Sequence, residues 1–164
     1  MPGTRTPRPA RTFTTGPWTR WIRRIALLLI VGTAGWVLLS YSSLPSAVPT
    51  HFDLRGEPDA FGDRASALWL VGVMTATGAL CGWLSTKPRL VNYPGAVTEQ
   101  NAQAVYREGE RMMVWVLTAF AVVFLGIAFT VVMAGGAGPI LVGAGLAGLP
   151  VSVIAGLIRL SQAE

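Results

Sequence analysis

Four unbroken apolar runs, each about twenty residues long, limit what this chain can fold into more than any other feature: Ile25 to about Leu44, Ala65 to Ser85, Met112 to about Ala134, and Pro139 to Leu160. A helix rises about 1.5 Å per residue, so about twenty residues cross the roughly 30 Å hydrocarbon layer of a bilayer. Lipid offers no water to satisfy peptide groups, and a helix satisfies its own. The runs therefore predict an all-α membrane protein with four transmembrane helices. Charged residues make up 13% of the chain, against about a quarter in ordinary soluble domains, which agrees with a bilayer as solvent.

The net charge of +5 raises the question of a nucleic-acid partner. Six basic residues, Arg5, Arg8, Arg11, Arg20, Arg23 and Arg24, precede the first run, a placement that fits membrane topology and no nucleic-acid partner. Four more (Lys87, Arg89, Arg107, Arg111) lie between the second and third runs, and Arg159 near the carboxy terminus, while only Arg55 and Arg64 lie between the first and second. Eleven against two predicts both termini and the 86–111 segment inside, with the 45–64 segment outside. Residues 1–24 are expected to form a disordered basic cytoplasmic tail, with four prolines and with Trp18 and Trp21 at its membrane end, and residues 25–164 a four-helix transmembrane domain. A cleaved signal peptide competes for the first run, whose apolar stretch is at the long limit for one.

Trp69 and Trp83 mark the ends of the second run. Gly135-Gly136-Ala137-Gly138 leaves room only for an antiparallel return between the third and fourth. In the fourth, Ala144, Gly148, Ser152 and Gly156 recur every four positions, a small-residue seam for helix–helix association, and Pro150 should kink the helix and free a carbonyl. Cys81 sits among apolar neighbours and reads as packing; a reactive or lipidated thiol is the sharper alternative.

Two connecting segments concentrate the chemistry. The outer one, Leu44 to Arg64, holds the chain's only histidine, His51, with Asp53, Arg55, Glu57, Asp59, Asp63 and Arg64. Its prolines and its Gly56-Glu57-Pro58-Asp59 turn predict a compact loop, with Phe52 and Phe61 as its apolar underside. His51, Phe52, Asp53, Arg55, Gly56, Glu57 and Asp59 are the candidate ligand-binding residues. His51 with Asp53 and Glu57 or Asp59 offers divalent-metal ligands, but in no calcium-loop or zinc spacing, so no metal is assigned and His51 is expected to hydrogen-bond to a turn carbonyl, or else to a tyrosine or carboxylate. Asp53 with Arg55, or Arg64 with Asp63, are candidate local ion pairs.

In the inner segment Asn92-Tyr93-Pro94 is a turn, and Thr98 caps a helix whose first turn bears Glu99. Ala102, Val105, Tyr106, Gly109, Met112 and Met113 keep helical spacing, which predicts a short interfacial helix before the third span, with a solvated charged face or a docking site for a cytoplasmic protein. The central parts of the runs hold no charged residue, which argues against a pump or coupled transporter. Neither a phosphate-binding glycine loop nor a nucleophile elbow is present, so no catalytic residue and no cofactor is assigned and a non-enzyme is expected.

Leu44, Pro45, Pro49, Thr50, His51, Phe52, Gly56, Glu57, Pro58, Asp59 and Gly62, followed by Asn92, Tyr93, Pro94, Thr98, Glu99 and Asn101, resemble a bacterial membrane family of unknown function, the domain of unknown function 1648. That domain type forms the amino-terminal part of sporulation-delaying-toxin immunity proteins. The resemblance runs from roughly Arg23 to Thr130 and implies a multi-pass protein of a bacterial plasma membrane, without a reaction. Immunity proteins of this kind carry further spans after the unit, whereas this sequence ends at Glu164. The leading expectation is a non-enzymatic membrane protein, immunity- or sensor-like, whose outer loop recognises an envelope or peptide ligand. A small transport accessory subunit and a metal-dependent membrane enzyme are the alternatives, and the protein partner is left unassigned.

Overall fold

In the computed structural model, residues 8–53, 58–133 and 136–163 are described. Four long helices dominate: α1 (Pro17–Ser40), α2 (Ser66–Ser85), α3 (Ala102–Met133) and α4 (Gly138–Ser161). All four are long and apolar enough to cross a membrane, so the chain is a multi-pass membrane protein by length and composition. Strands β1 (Ala47–Phe52) and β2 (Pro58–Asp63) form an antiparallel pair between α1 and α2. Alternating helix direction brings both described termini and the 86–101 segment to one end of the bundle and the strand pair to the other.

Helix α3 is the centre of the bundle. It packs against α1, α2 and α4, and its buried face, including Leu117, Ala121, Phe124 and Ala128, shares one core with Ala26, Ile30, Ala34 and Val37 of α1. Trp36 packs edge-on against Phe129 at 4.9 Å between centroids. Helix α2 approaches α1 through glycine: an ideal Cβ at Gly78 would lie 2.5 Å from Ile30 Cδ1, and one at Gly82 2.8 Å from Leu27 Cδ2. Close backbone approach of this kind is how membrane helices gain packing where lipid is as apolar as leucine.

Helix α4 has its main contacts with α3 alone. The seam differs from the sequence expectation by one position. Gly145, Gly148, Ser152 and Gly156 face α3, while Ala144 is exposed; Gly145 comes so close that an added Cβ would meet Val123 N at 2.8 Å. An i, i+4 pattern drifts around the helix, because a 3.6-residue turn rotates a four-residue repeat slowly. Ser152 Oγ donates to Gly148 O at 2.6 Å, across the turn that holds Pro150. The return between α3 and α4 uses Gly136 at φ +76°, a left-handed conformation that glycine adopts without a Cβ clash.

Two expectations are corrected. The segment taken as a short interfacial helix is the first part of α3 and continuous with the third span, since Ala102, Val105, Tyr106 and Gly109 are all buried and hold it in line. The expected disordered tail over residues 1–24 also fails in its described part: α1 begins at Pro17, a residue suited to a first turn, and residues 8–16 lie along the 86–110 region as a hydrogen-bonded strap.

Candidate functional site

The strand pair carries three of the expected ligand-binding residues, His51, Phe52 and Asp59. Two prolines, Pro49 and Pro58, sit in strands that each have a free edge, where a missing N–H costs no ladder bond. The register pairs Ala47 with Asp63, Val48 with Gly62, Pro49 with Phe61 and His51 with Ala60, with irregularities on either side of His51. Arg64 N donates to Ser46 O at 3.0 Å and closes the base. Val48, 1% exposed, pins the pair into the same core as Leu44, Ala67 and Val71. Phe52 is half-buried and lines a crevice of about 260 Å³ with Val48, Leu70, Ile127 and Val131.

On the outer side of the pair, His51 Nδ1 meets Asp59 Oδ1 at 2.5 Å, with His51 69% exposed. Phe61 is 63% exposed. Asp53 follows β1 directly and is exposed, whereas Arg55, Gly56 and Glu57 lie outside the described residues. Among the described residues no group of three His, Cys, Asp or Glu side chains converges as a metal site. The anticipated Asp63–Arg64 pair takes another form: Asp63 accepts the Ala65 N–H at 2.7 Å at the start of α2, and the Arg64 guanidinium lies 5.2 Å from the Tyr41 ring centre.

At the opposite end, the Asn92-Tyr93-Pro94 turn and the Thr98 cap act as supports. Thr98 Oγ1 accepts the Asn101 N–H at 3.3 Å while Asn101 Oδ1 accepts the Thr98 N–H at 2.8 Å, a reciprocal cap, and Glu99 lies in the turn between them. Tyr93 donates to Pro88 O at 2.9 Å and covers Gly109, where a Cβ would run into its ring. Burial, then the neighbouring Tyr106, pushes the Tyr93 phenol well above its ordinary range, so it stays a donor.

Glu110 is the group that sequence reasoning missed. It is 2% exposed and accepts from Arg23 at 2.9 Å, Arg11 at 3.0 Å and Thr15 Oγ1 at 2.8 Å. Around this knot Gln103 accepts the Thr12 N–H at 2.9 Å and donates to Ala10 O at 2.7 Å, and Tyr106 donates to Pro9 O at 3.1 Å. The guanidinium groups of Arg11 and Arg107 lie 4.3 and 5.4 Å from the Phe13 ring centre. A signal existed: Glu110 stands four residues after Tyr106, on the same helix face as Gly109 and Met113, and so inside the apolar stripe.

Residues 28–76 match a domain of unknown function, DUF1648. The chain is also similar to an uncharacterized protein of Archaeoglobus fulgidus, 40% identical over 111 residues that cover 62% of this chain and 58% of that protein. No solved structure matches. The matched stretch takes in the second half of α1, the strand pair and the first half of α2, so the similarity to DUF1648 lies in the hairpin and the parts of the two spans that flank it.

Proposed function

We propose that this protein is a non-enzymatic, multi-pass protein of the plasma membrane, with both termini in the cytoplasm, whose hairpin recognises an envelope or peptide ligand outside the cell. The observation that carries the reading is the pairing of a buried anchor with an exposed face. Val48 and Leu44 hold the strands on the bundle, while Phe61, His51 and Asp59 are presented to solvent. A large exposed aromatic beside a polar pair on a fixed support is a recognition surface that binds with little ordering cost. The eleven-to-two distribution of basic residues favours the hairpin outside. An immunity- or sensor-like role in a bacterium follows from family resemblance alone and is part of the proposal.

A small transport accessory subunit is the second reading, supported by the outlying α4, which leaves much apolar surface beyond its contact with α3. The topology is tested with reporters fused after Glu164, inserted near Gln100 and inserted near Glu57: cytoplasm, cytoplasm and exterior are expected, and an exterior carboxy terminus overturns the arrangement. Recognition is tested with a photocrosslinking residue at position 61 in intact cells. A discrete adduct that weakens in Asp59→Asn and is absent with the crosslinker at lipid-facing Val153 supports the reading; equal labelling at both positions sinks it.

A further inference from the structure

Arg8 and Arg11 from the strap, Trp83 and Thr86 from the end of α2, and Lys87 and Arg89 from the turn that follows line an open recess of about 780 Å³. Among the described residues no acidic side chain lines it. Glu110 lies behind Arg11, but its single charge is shared with Arg23. Arg8 donates to the carbonyls of Arg89 and Val91 at 2.8 and 2.6 Å, and Arg89 donates to Arg8 O at 2.6 Å. Backbone carbonyls occupy donors and shape the recess without cancelling charge. Among the described residues, neither Arg8, Lys87 nor Arg89 has an ion-pair partner, and Arg11 Nε is buried with no acceptor. Confining several cations within one recess is costly through mutual repulsion unless an anion joins them.

The position of the recess selects the anion. It opens beside Trp83, which is half-exposed at the end of a membrane-crossing helix, and beside exposed Leu90. A tryptophan at such a helix end marks headgroup depth. Leu80, one turn back on the same helix and also exposed, continues the apolar surface away from the recess, as an acyl chain requires. We propose that this recess binds the phosphate of an anionic phospholipid, with Arg8, Lys87 and Arg89 around the phosphate, Thr86 and Arg11 behind it, and the lipid chain along Trp83 and Leu80. Basic recesses of this kind at the edge of membrane helices take acidic headgroups, each cation near the surface contributing about 1 kcal/mol. Because the strap forms one wall, a bound lipid also holds the strap against α2 and α3. The site is independent of what the hairpin recognises.

The test uses the full chain in a non-ionic detergent, titrated with dioleoylphosphatidylglycerol or dioleoylphosphatidylcholine and read by native mass spectrometry. One tightly held phosphatidylglycerol is expected, its affinity falling with salt, and phosphatidylcholine should bind far more weakly. Lys87→Gln with Arg89→Gln should lower phosphatidylglycerol affinity about tenfold or more, whereas Arg20→Gln with Arg24→Gln, which removes the same charge elsewhere at this end, should leave it unchanged. If the double variant unfolds, Lys87→Gln alone, whose side chain is exposed, should still give a severalfold loss. Equal retention of the two lipids, or an equal loss in the Arg20 and Arg24 variant, overturns the site. Displacement of the lipid by millimolar inorganic phosphate overturns the lipid in favour of a free phosphate.

Discussion

The two ends of the bundle hold their polar residues in opposite ways. At the strap end, charge is turned inward: Glu110 is buried and held by Arg11, Arg23 and Thr15, while Gln103 and Tyr106 bind the strap backbone. At the hairpin end, attachment is apolar, through Val48 and Leu44, and the His51–Asp59 pair faces solvent. A buried carboxylate needs its partners in place, and here they come from the strap and from α1, so the strap end is tied together through one group. An exposed ion pair contributes little to stability, so the His51–Asp59 pair can serve a ligand at little structural cost. The difference separates a structural clamp from a candidate recognition surface using burial alone.

The largest test of this contrast is Glu110→Gln. Removing one partner of a buried ion pair costs about 3–5 kcal/mol, and the partial exposure of Arg11 and Arg23 puts this case at the lower end. Thermal unfolding in detergent should shift by that equivalent, and protease cleavage after Arg11 should accelerate; an unchanged midpoint would mean that the clamp holds nothing. Gly109→Ala comes next. The new methyl group runs into the Tyr93 ring, and overpacking of this kind costs about 1–3 kcal/mol. Loss of Tyr93 packing should show as increased exchange of the amides around residues 88–95, with the hairpin unaffected.

At the other end, Val48→Ala removes two buried methyl groups and should cost about 1–2 kcal/mol. Hydrogen exchange should rise across β1 and β2 and stay constant over residues 8–16, since the two lie at opposite ends of the bundle; a matching rise in the strap would dissolve the contrast between the two ends. The smallest effect belongs to His51→Gln, which should alter stability by less than about 0.5 kcal/mol because the pair is exposed. A loss as large as that of Val48→Ala would turn the His51–Asp59 pair into a structural element and weaken its candidacy for recognition.

Much of this architecture follows from local sequence. The four apolar runs fix four spans, because lipid admits few other backbone solutions, and their bounds differ from the helices chiefly where polar turns extend an apolar run, as Ala102–Met112 does for α3. The Thr98–Asn101 cap and the Gly136 turn are equally local, since each depends on residues within a few positions. His51 pairs with a carboxylate eight residues away, within reach of a loop reading.

What only the tertiary structure decided is long-range. Glu110 is bonded to Arg11 across 99 positions and to Arg23 across 87, and the strap that carries Arg11 has the prolines and threonines of a disordered tail. No periodicity within the strap announces an ordered state; a buried carboxylate on a distant helix supplies it. The choice of Gly145 over Ala144 on the α4 seam is of the same kind, because it depends on where the backbone of α3 passes. Spans are set by the solvent each residue meets, and so are written locally, whereas the clamp arises where segments far apart in sequence neutralise one another's charge, and the basic recess where such segments bring like charges together.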